Sequence, residues 1–426
     1  MNKRILMFCG NGYTFDEAFG PIIEEIGKSF KVDLLMGSYY FTDRVLNSVK
    51  RLHSKGRIDT YKIIHAHRRK QSNFGYHKEI KLIMESIKDK DFSLLLSGGD
   101  FDIFNRYLIS VARAKGANIA IIQGCQLVHL LAKYRKMNRL NLSRNDYCKQ
   151  KKNDINGRKY RGLRYQLGMI KHGALRSLKV INSHYITPFL VSGKFFVPSR
   201  YDKFNFTSGR ADIVMCYDSL EITALKSMIP KVKNIHLVKH PVHGQCKCKG
   251  SLNIELGRKL LVVFSGNIGS ELEKYKFERW VGVIKKAIDL ENIAEIHLRF
   301  HPRTSSALHW PRKMAKSIKD LGCEVKIIDA LKTSLVETVC NYVGILGAPS
   351  GALRAARAVC PRVFVTALPD CGDPEPFEQE WCLGKAEGIN WIKKDEELEP
   401  KNLEISEFNM DNRLSVADIL CKTLEK

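Results

Sequence analysis

The chain has 426 residues, 44% hydrophobic and 27% charged, a balance that supports packed cores and excludes wholesale disorder. With 13 Pro and 30 Gly it is neither collagen-like nor of low complexity, and at roughly 100–200 residues per domain it has room for two or three domains. Lys and Arg number 70 against 45 Asp and Glu, a formal charge of +25, which points to something anionic: nucleic acid, a nucleotide, an acidic glycan or an anionic membrane surface.

Lys3 and Arg4 open the chain, followed by an apolar run that stops at Gly10-Asn11-Gly12. That run is shorter than the ~7–15 residues of a signal-peptide core, and no stretch approaches the ~18 apolar residues of a membrane span. The 12 cysteines form no CxxC pair and read as reduced thiols. A cytoplasmic protein is expected, with peripheral contact to the inner membrane face left open.

Short Val-, Ile-, Leu- and Phe-rich runs then recur at 4–9, 32–36, 61–65, 92–97 and 118–122, with helical periodicity between several of them, as at 15–28 and 77–87. Continuous apolar strands alternating with helices predict a parallel sheet covered on both faces. The pattern continues at 212–217 and 234–239. It restarts with 260–264, 295–300, 324–328, 343–346 and 363–366. The expected fold is therefore α/β: two doubly wound, Rossmann-like domains facing a cleft. The N-terminal domain covers 1–240, a linker 241–258 and the C-terminal domain 259–405. A last helix, about 413–425 within the segment 406–426, would cross back.

Residues 133–179 break this rhythm. They hold 15 Lys and Arg against two acids, Asp146 and Asp154, with Tyr134, Tyr147, Tyr160 and Tyr165 interleaved. The segment is either a solvated basic insertion (about 131–180) or a surface for a polyanion or an anionic bilayer. No RNA-binding signature accompanies it, so no nucleic acid is expected.

Chemistry-bearing residues concentrate in the second half. The strand at 260–264 runs into Ser265-Gly266-Asn267-Ile268-Gly269-Ser270, a small-residue turn before a helix, where backbone N–H groups and a helix N-terminus can meet a phosphate. The strand at 295–300 ends in His301-Pro302-Arg303, whose cationic side chains can donate to phosphate oxygens. The strand at 343–346 leads through Gly347-Ala348-Pro349 to Ser350-Gly351 at the start of an Ala-rich helix. Ser334 and Glu337 fit a capping box opening the helix before it. His240, His243, Cys246 and Cys248 supply four soft ligands within nine residues, but their spacing matches no established zinc pattern, and no metal is expected.

The order of these features resembles the GT-B glycosyltransferase-like group, which includes bacterial polysialyltransferases, CDP-glycerol glycerophosphotransferases and UDP-N-acetylglucosamine 2-epimerases. The matching stretches are 119–124 (ending Gln123-Gly124), 212–241, 260–303 and 325–364. The resemblance implies a nucleotide-sugar transferase building a cell-surface polysaccharide such as capsule or lipopolysaccharide. It needs no cofactor beyond the nucleotide-activated sugar, and its acceptor is an anionic glycan or glycolipid. By the same resemblance His301 and Ser350 hold donor phosphates, with Ser265, Gly266, Arg303 and the Gly351 amide beside them. Such transferases often carry two adjacent serines where this chain has Ser350-Gly351. Sialyltransferase-like members take their base from an acidic pair followed by glycine; the nearest counterpart here is Asp16-Glu17-Ala18-Phe19-Gly20, with the glycine two places late, and Asp100 and Asp102 are the second choice. Two other readings stay open: a nucleotide-sugar epimerase of the same fold, and a non-enzymatic polyanion-binding protein.

Overall fold

A computed structural model of the chain describes residues 3–12, 15–38, 41–64, 82–99, 103–122, 211–219, 222, 225–226, 234–245, 258–264, 273–300, 309–348, 350–368, 388–392, 397–405 and 410–425. Two compact units result: Met1–Pro241 with Arg413–Lys426, and Val242–Asn412. The chain passes between them twice.

Among the described residues of the first unit seven strands form one sheet: β1 (Arg4–Cys9), β2 (Lys31–Gly37), β3 (Thr60–Ile64), β4 (Leu94–Ser97), β5 (Asn118–Ile122), β6 (Ile213–Cys216) and β7 (Ile235–Leu237). Every pairing is parallel and the order is β3-β2-β1-β4-β5-β6-β7. Both faces are covered, as the unbroken apolar runs require. Ile5, Met7 and Cys9 point into one core, and Leu6 and Phe8 into the other. The first core is closed by α1 (Gly20–Ile26), α2 (Asp43–Ser54) and α8 (Val416–Glu425), the second by α3 (Ile103–Ala114). Helix α2 starts cleanly because the Thr42 hydroxyl accepts from the Val45 N–H at 3.4 Å, Asp43 sits in its first turn and Arg51 and His53 in its last.

One expected helix, 15–28, is divided. Phe15–Phe19 forms a single wide π-helical turn and a regular helix begins only at Gly20. Pro21 is the reason: it has no N–H to donate, and its ring would strike the carbonyl four residues earlier in a continuous helix. At the end of β2, Gly37 has no substitute, since a Cβ there would lie 2.4 Å from the Gly10 carbonyl oxygen. The turn after β1 is thus packed directly on backbone.

The second unit repeats the plan with β8 (Lys259–Phe264), β9 (Glu295–Phe300), β10 (Glu324–Ile328), β11 (Gly344–Gly347), β12 (Phe364–Ala367) and a short β13 (Asn390–Trp391), ordered β10-β9-β8-β11-β12-β13 and again wholly parallel. Helices α4 (Glu273–Glu291) and α5 (His309–Lys319) cover one face, and α6 (Leu335–Thr338) and α7 (Gly351–Val359) the other. Strand β13 has no counterpart among the sequence expectations. The capping box at α6 does not form: Ser334 is the N-cap, but its side chain caps nothing, and the helix lasts four residues. Where a linker was expected, Val242 is fully buried in the second unit and Gly244 donates its N–H to the Ala358 carbonyl at 3.3 Å. Residues 246–257 lie outside the described residues.

Cys9, Cys216, Cys323, Cys360 and Cys421 are thiols outside any disulfide, whereas Cys340 is disulfide-bonded, which corrects the expectation of thiols throughout. Pairing depends on Cα separation in the fold, which sequence spacing does not reveal. Among the described residues no helix is long and apolar enough to cross a membrane.

Candidate functional site

In both sheets the strand order reverses at one place: between β1 and β4, and between β8 and β11. Strands on either side of such a point send their connections in opposite directions, leaving a crevice outside their carboxyl ends where ligands bind. In the second unit β9, β8 and β11 are neighbours, so the turns that follow them leave the same edge side by side. Those turns carry Ser265 and Gly266, His301 and Arg303, and Ser350 and Gly351. The first four lie outside the described residues.

The turn after β11 is described at Ala348 and again from Ser350. The Ala348 N–H donates to the Val263 carbonyl at 3.0 Å, which ties the turn to β8. Ser350 is the N-cap of α7, extended at φ −157° and ψ 164°, but its side chain makes no capping bond. Its Oγ is buried and has no hydrogen-bond partner. A buried hydroxyl left without a partner costs about 1–3 kcal/mol, so this group is a feature to be explained. A Cβ built on Gly351 meets no atom within 4 Å, so the space beside the first turn is open. The first N–H groups of α7 have no acceptor within the helix, and its dipole adds about half a positive charge there. Ala352, Leu353, Ala355, Ala356, Ala358 and Val359 seat the helix in the core and hold this end still.

In the first unit, Asp16 and Glu17 occupy the π-helical turn that follows β1, at the equivalent switch point. The Asp16 carboxylate is ion-paired with Arg44 of α2, and both side chains are largely buried. Glu17 is also engaged with a neighbour. Asp100 and Asp102 follow β4, on the other side of the same switch point, and lie outside the described residues, as does the basic segment 133–179.

Of the candidate zinc ligands, His240 stacks against Tyr217 with ring centroids 4.5 Å apart, and His243 Nε2 pairs with Asp411 at 2.9 Å. Cys246 and Cys248 lie outside the described residues. No group of three His, Cys, Asp or Glu gathers as a metal site among the described residues.

Sequence reasoning missed a polar cluster at the opposite, amino edge of the second sheet. Glu295 on β9 takes Lys259 of β8 at 2.6 Å, Lys326 of β10 at 2.5 Å and His297 Nε2 at 2.7 Å. His297 Nδ1 meets the Tyr342 hydroxyl at 2.9 Å. Burial pushes the Glu295 carboxyl up, but the hydrogen bonds from Lys259, Lys326 and His297 outweigh it and bring it down to about 2. Burial pushes Tyr342 up to about 12. Two residues on, buried Arg299 donates to the carbonyls of Thr333 at 2.9 Å and Ala330 at 3.3 Å, fastening the segment after β10. The signal was present: Glu295, His297 and Arg299 alternate with Ile296, Leu298 and Phe300, a two-residue period that marks one polar face.

No protein-family model matches the chain, and no curated protein sequence matches it. Solved structures similar to it include a UDP-GlcNAc 2-epimerase of Methanocaldococcus jannaschii in complex with UDP-GlcNAc and UDP, at 12% identity and a TM-score of 0.49, covering 100% of this chain and 99% of that one. A UDP-GlcNAc 2-epimerase of Neisseria meningitidis bound to UDP-GlcNAc is similar at 12% identity and a TM-score of 0.48, covering 99% of each chain. A glycosyltransferase of Rickettsia africae is similar at 10% identity and a TM-score of 0.47, covering 100% of this chain and 88% of that one.

Proposed function

We propose that the chain is a GT-B-type glycosyltransferase that moves a sugar from a nucleotide-activated donor to an anionic cell-surface glycan or glycolipid. The observation that carries this reading is the carboxyl edge of the second sheet. There β9, β8 and β11 end side by side at the switch point, and in the sequence they are followed by a His-Pro-Arg run, a small-residue run and the Ser350-Gly351 helix start. The buried Ser350 hydroxyl, without a partner of its own, is a donor kept in reserve for a ligand oxygen.

In the proposed reaction His301 and Arg303 donate to the donor phosphates, Ser350 Oγ and the Gly351 N–H add two more bonds, and Ser265 and Gly266 line the adjoining turn. Charge grows on these phosphates as the bond to the sugar breaks, so preformed donors stabilise the transition state more than the ground state. Asp16 or Glu17 takes the proton of the attacking acceptor hydroxyl. The segment 133–179, fifteen cations against two acids, holds the anionic acceptor or an anionic membrane surface in the cytoplasm.

A thermal-shift screen with CMP, CDP, UDP and GDP tests the donor site. The matching nucleotide at 100 times Kd adds about 2.7 kcal/mol of stability. Ser350→Ala should raise the ligand-free melting temperature, because no capping bond is lost and a buried hydroxyl without a partner is removed, while nucleotide affinity falls about 10-fold or more, the worth of a hydrogen bond to a charged group. Unchanged affinity removes Ser350 from the site. Conversion of the nucleotide sugar with no acceptor present would replace the transferase reading by an epimerase.

A further inference from the structure

Ile296, Leu298 and Phe300 enter the core under α4 and α5, so Arg299 is the last side chain that β9 sends to the α6–α7 side before the strand ends. It is 3% exposed, and its hydrogen bonds go to the Ala330 and Thr333 carbonyls. Its Nε is buried and donates to nothing. Among the described residues no carboxylate pairs with it. Glu295, on the same face of β9, is taken by Lys259 and Lys326, and Asp329 accepts from the Leu331 N–H at 2.9 Å. Tyr342, which feels the Arg299 charge, stays neutral up to about 12. Carbonyl dipoles hold a guanidinium without cancelling its charge, and a buried charge is costly unless it is paired. The register fixes where this charge lies. Arg299 stands beside Val263 of β8, and Val263 beside Gly347 of β11, in one row across the switch point. Two strand spacings, about 10 Å, separate the Arg299 backbone from that of Gly347, three residues before Ser350. Ser350 Oγ, a second buried donor without a partner, belongs to the same end of the sheet.

We infer that Arg299 is a fixed positive charge of the donor site, neutralised by the phosphates of the bound nucleotide. This inference rests on the nucleotide site proposed above and adds a residue to it. Being buried, the guanidinium acts through its field rather than by contact. At about 10 Å and an effective dielectric constant of about 20, one charge changes the affinity for each phosphate charge by about 10-fold. An uncharged nucleoside gains nothing from it, and a diphosphate gains more than a monophosphate.

The test is a calorimetric titration of the full chain with the nucleoside, the monophosphate and the diphosphate of uracil, cytosine and guanine. In the natural chain, affinity for one of the bases should rise with each phosphate. Arg299→Gln is neutral but can still donate to one carbonyl. It should leave nucleoside affinity unchanged and lower diphosphate affinity about 10-fold or more, with the monophosphate between. Arg299→Lys keeps the charge without the planar fork and should restore diphosphate affinity to within about 3-fold of the natural chain. If Arg299 only fastens the segment 330–333, both variants weaken every ligand alike, and the inference is overturned. Intact diphosphate affinity in Arg299→Gln overturns it as well. Should Arg299→Gln not fold, Arg299→Lys decides: a preserved preference for the diphosphate supports the inference and its loss overturns it. A natural chain that binds none of these ligands removes the donor site and this inference together, whereas nucleotide binding indifferent to Arg299 removes this inference alone.

Discussion

Asp16 owes its setting to Pro21. Because the proline ring forbids a regular helix through residues 15–21, the chain takes one wide turn there, and Asp16 is presented to Arg44. Such a pair can orient a catalytic base, or it can simply join the turn to α2. Asp16→Asn distinguishes these roles. If Asp16 is the base, turnover falls about 100-fold or more while nucleotide affinity is unchanged, since a lost general base acts on the transition state. If the pair only braces the turn, Asp16→Asn and Arg44→Gln lower the melting temperature alike, at about 1 kcal/mol, and turnover per folded molecule stays the same. At this scale the sequence was half legible. The types of residue at the switch points could be read, but the Arg44 partner, 28 residues away, and the uncapped Ser350 hydroxyl could not, because each depends on where another side chain comes to rest.

Helix α8 shows what a single element adds to a unit formed far earlier in the chain. Val416, Ile419, Leu420 and Leu424 recur at helical spacing and are buried in the first core. Around them the Lys239 N–H donates to the Leu414 carbonyl at 2.9 Å, and Arg413 donates to the Tyr217 carbonyl at 2.8 Å. Leu420 is fully buried. Leu420→Ala should therefore cost about 2–5 kcal/mol, removing buried apolar surface and leaving a cavity. Hydrogen exchange should quicken in peptides of β1, β2 and α1 and stay unchanged in those of β8 and β9. Equal acceleration in both units would contradict the division of cores. The sequence showed the amphipathic helix through its periodicity. The expectation that it crosses back named no packing partners, because either sheet offers a suitable apolar face and only the fold brings α1 and α2 to this helix.

Across the whole molecule, each sheet carries a buried carboxylate in the amino half of its second strand from one edge. Asp33 on β2 accepts from Lys90 at 2.6 Å, from Arg4 at 2.7 Å and from Thr60; Glu295 on β9 has the partners described above. Burial alone would raise Asp33, but the bonds from Lys90, Thr60 and Arg4 outweigh it and lower it. Both groups are lower in the folded protein than in the unfolded chain. Their stabilisation is therefore complete above the unfolded value, near 4, and is lost on acidification, for Glu295 as the pH falls toward about 2. Urea midpoints measured from pH 7 to pH 2 should fall across that window. Glu295→Gln should be less stable at pH 7, since Lys259 and Lys326 lose their shared anion, and should lose stability less steeply in acid. An acid limb as steep in the variant as in the natural chain would show that this cluster is not what acid breaks.

The apolar runs and the polar turns between them determined most strands to within a residue or two and the parallel α/β class, because a strand buried on both faces must be apolar at nearly every position. Local chemistry, through Gly, Ser, His and Arg residues after three strands, set the expectation of a phosphate-binding edge that the proposed function builds on. Only the tertiary structure decided the strand order β10-β9-β8-β11-β12-β13, and with it that the turns after β9, β8 and β11 share one edge. Only it placed α8 in the first unit and gathered Lys259, Glu295, His297 and Lys326 from three strands. The physical reason is the same in each case. Secondary structure follows from periodicities within about a dozen residues, whereas pairing, burial and charge neutralisation depend on residues brought together across tens or hundreds of positions.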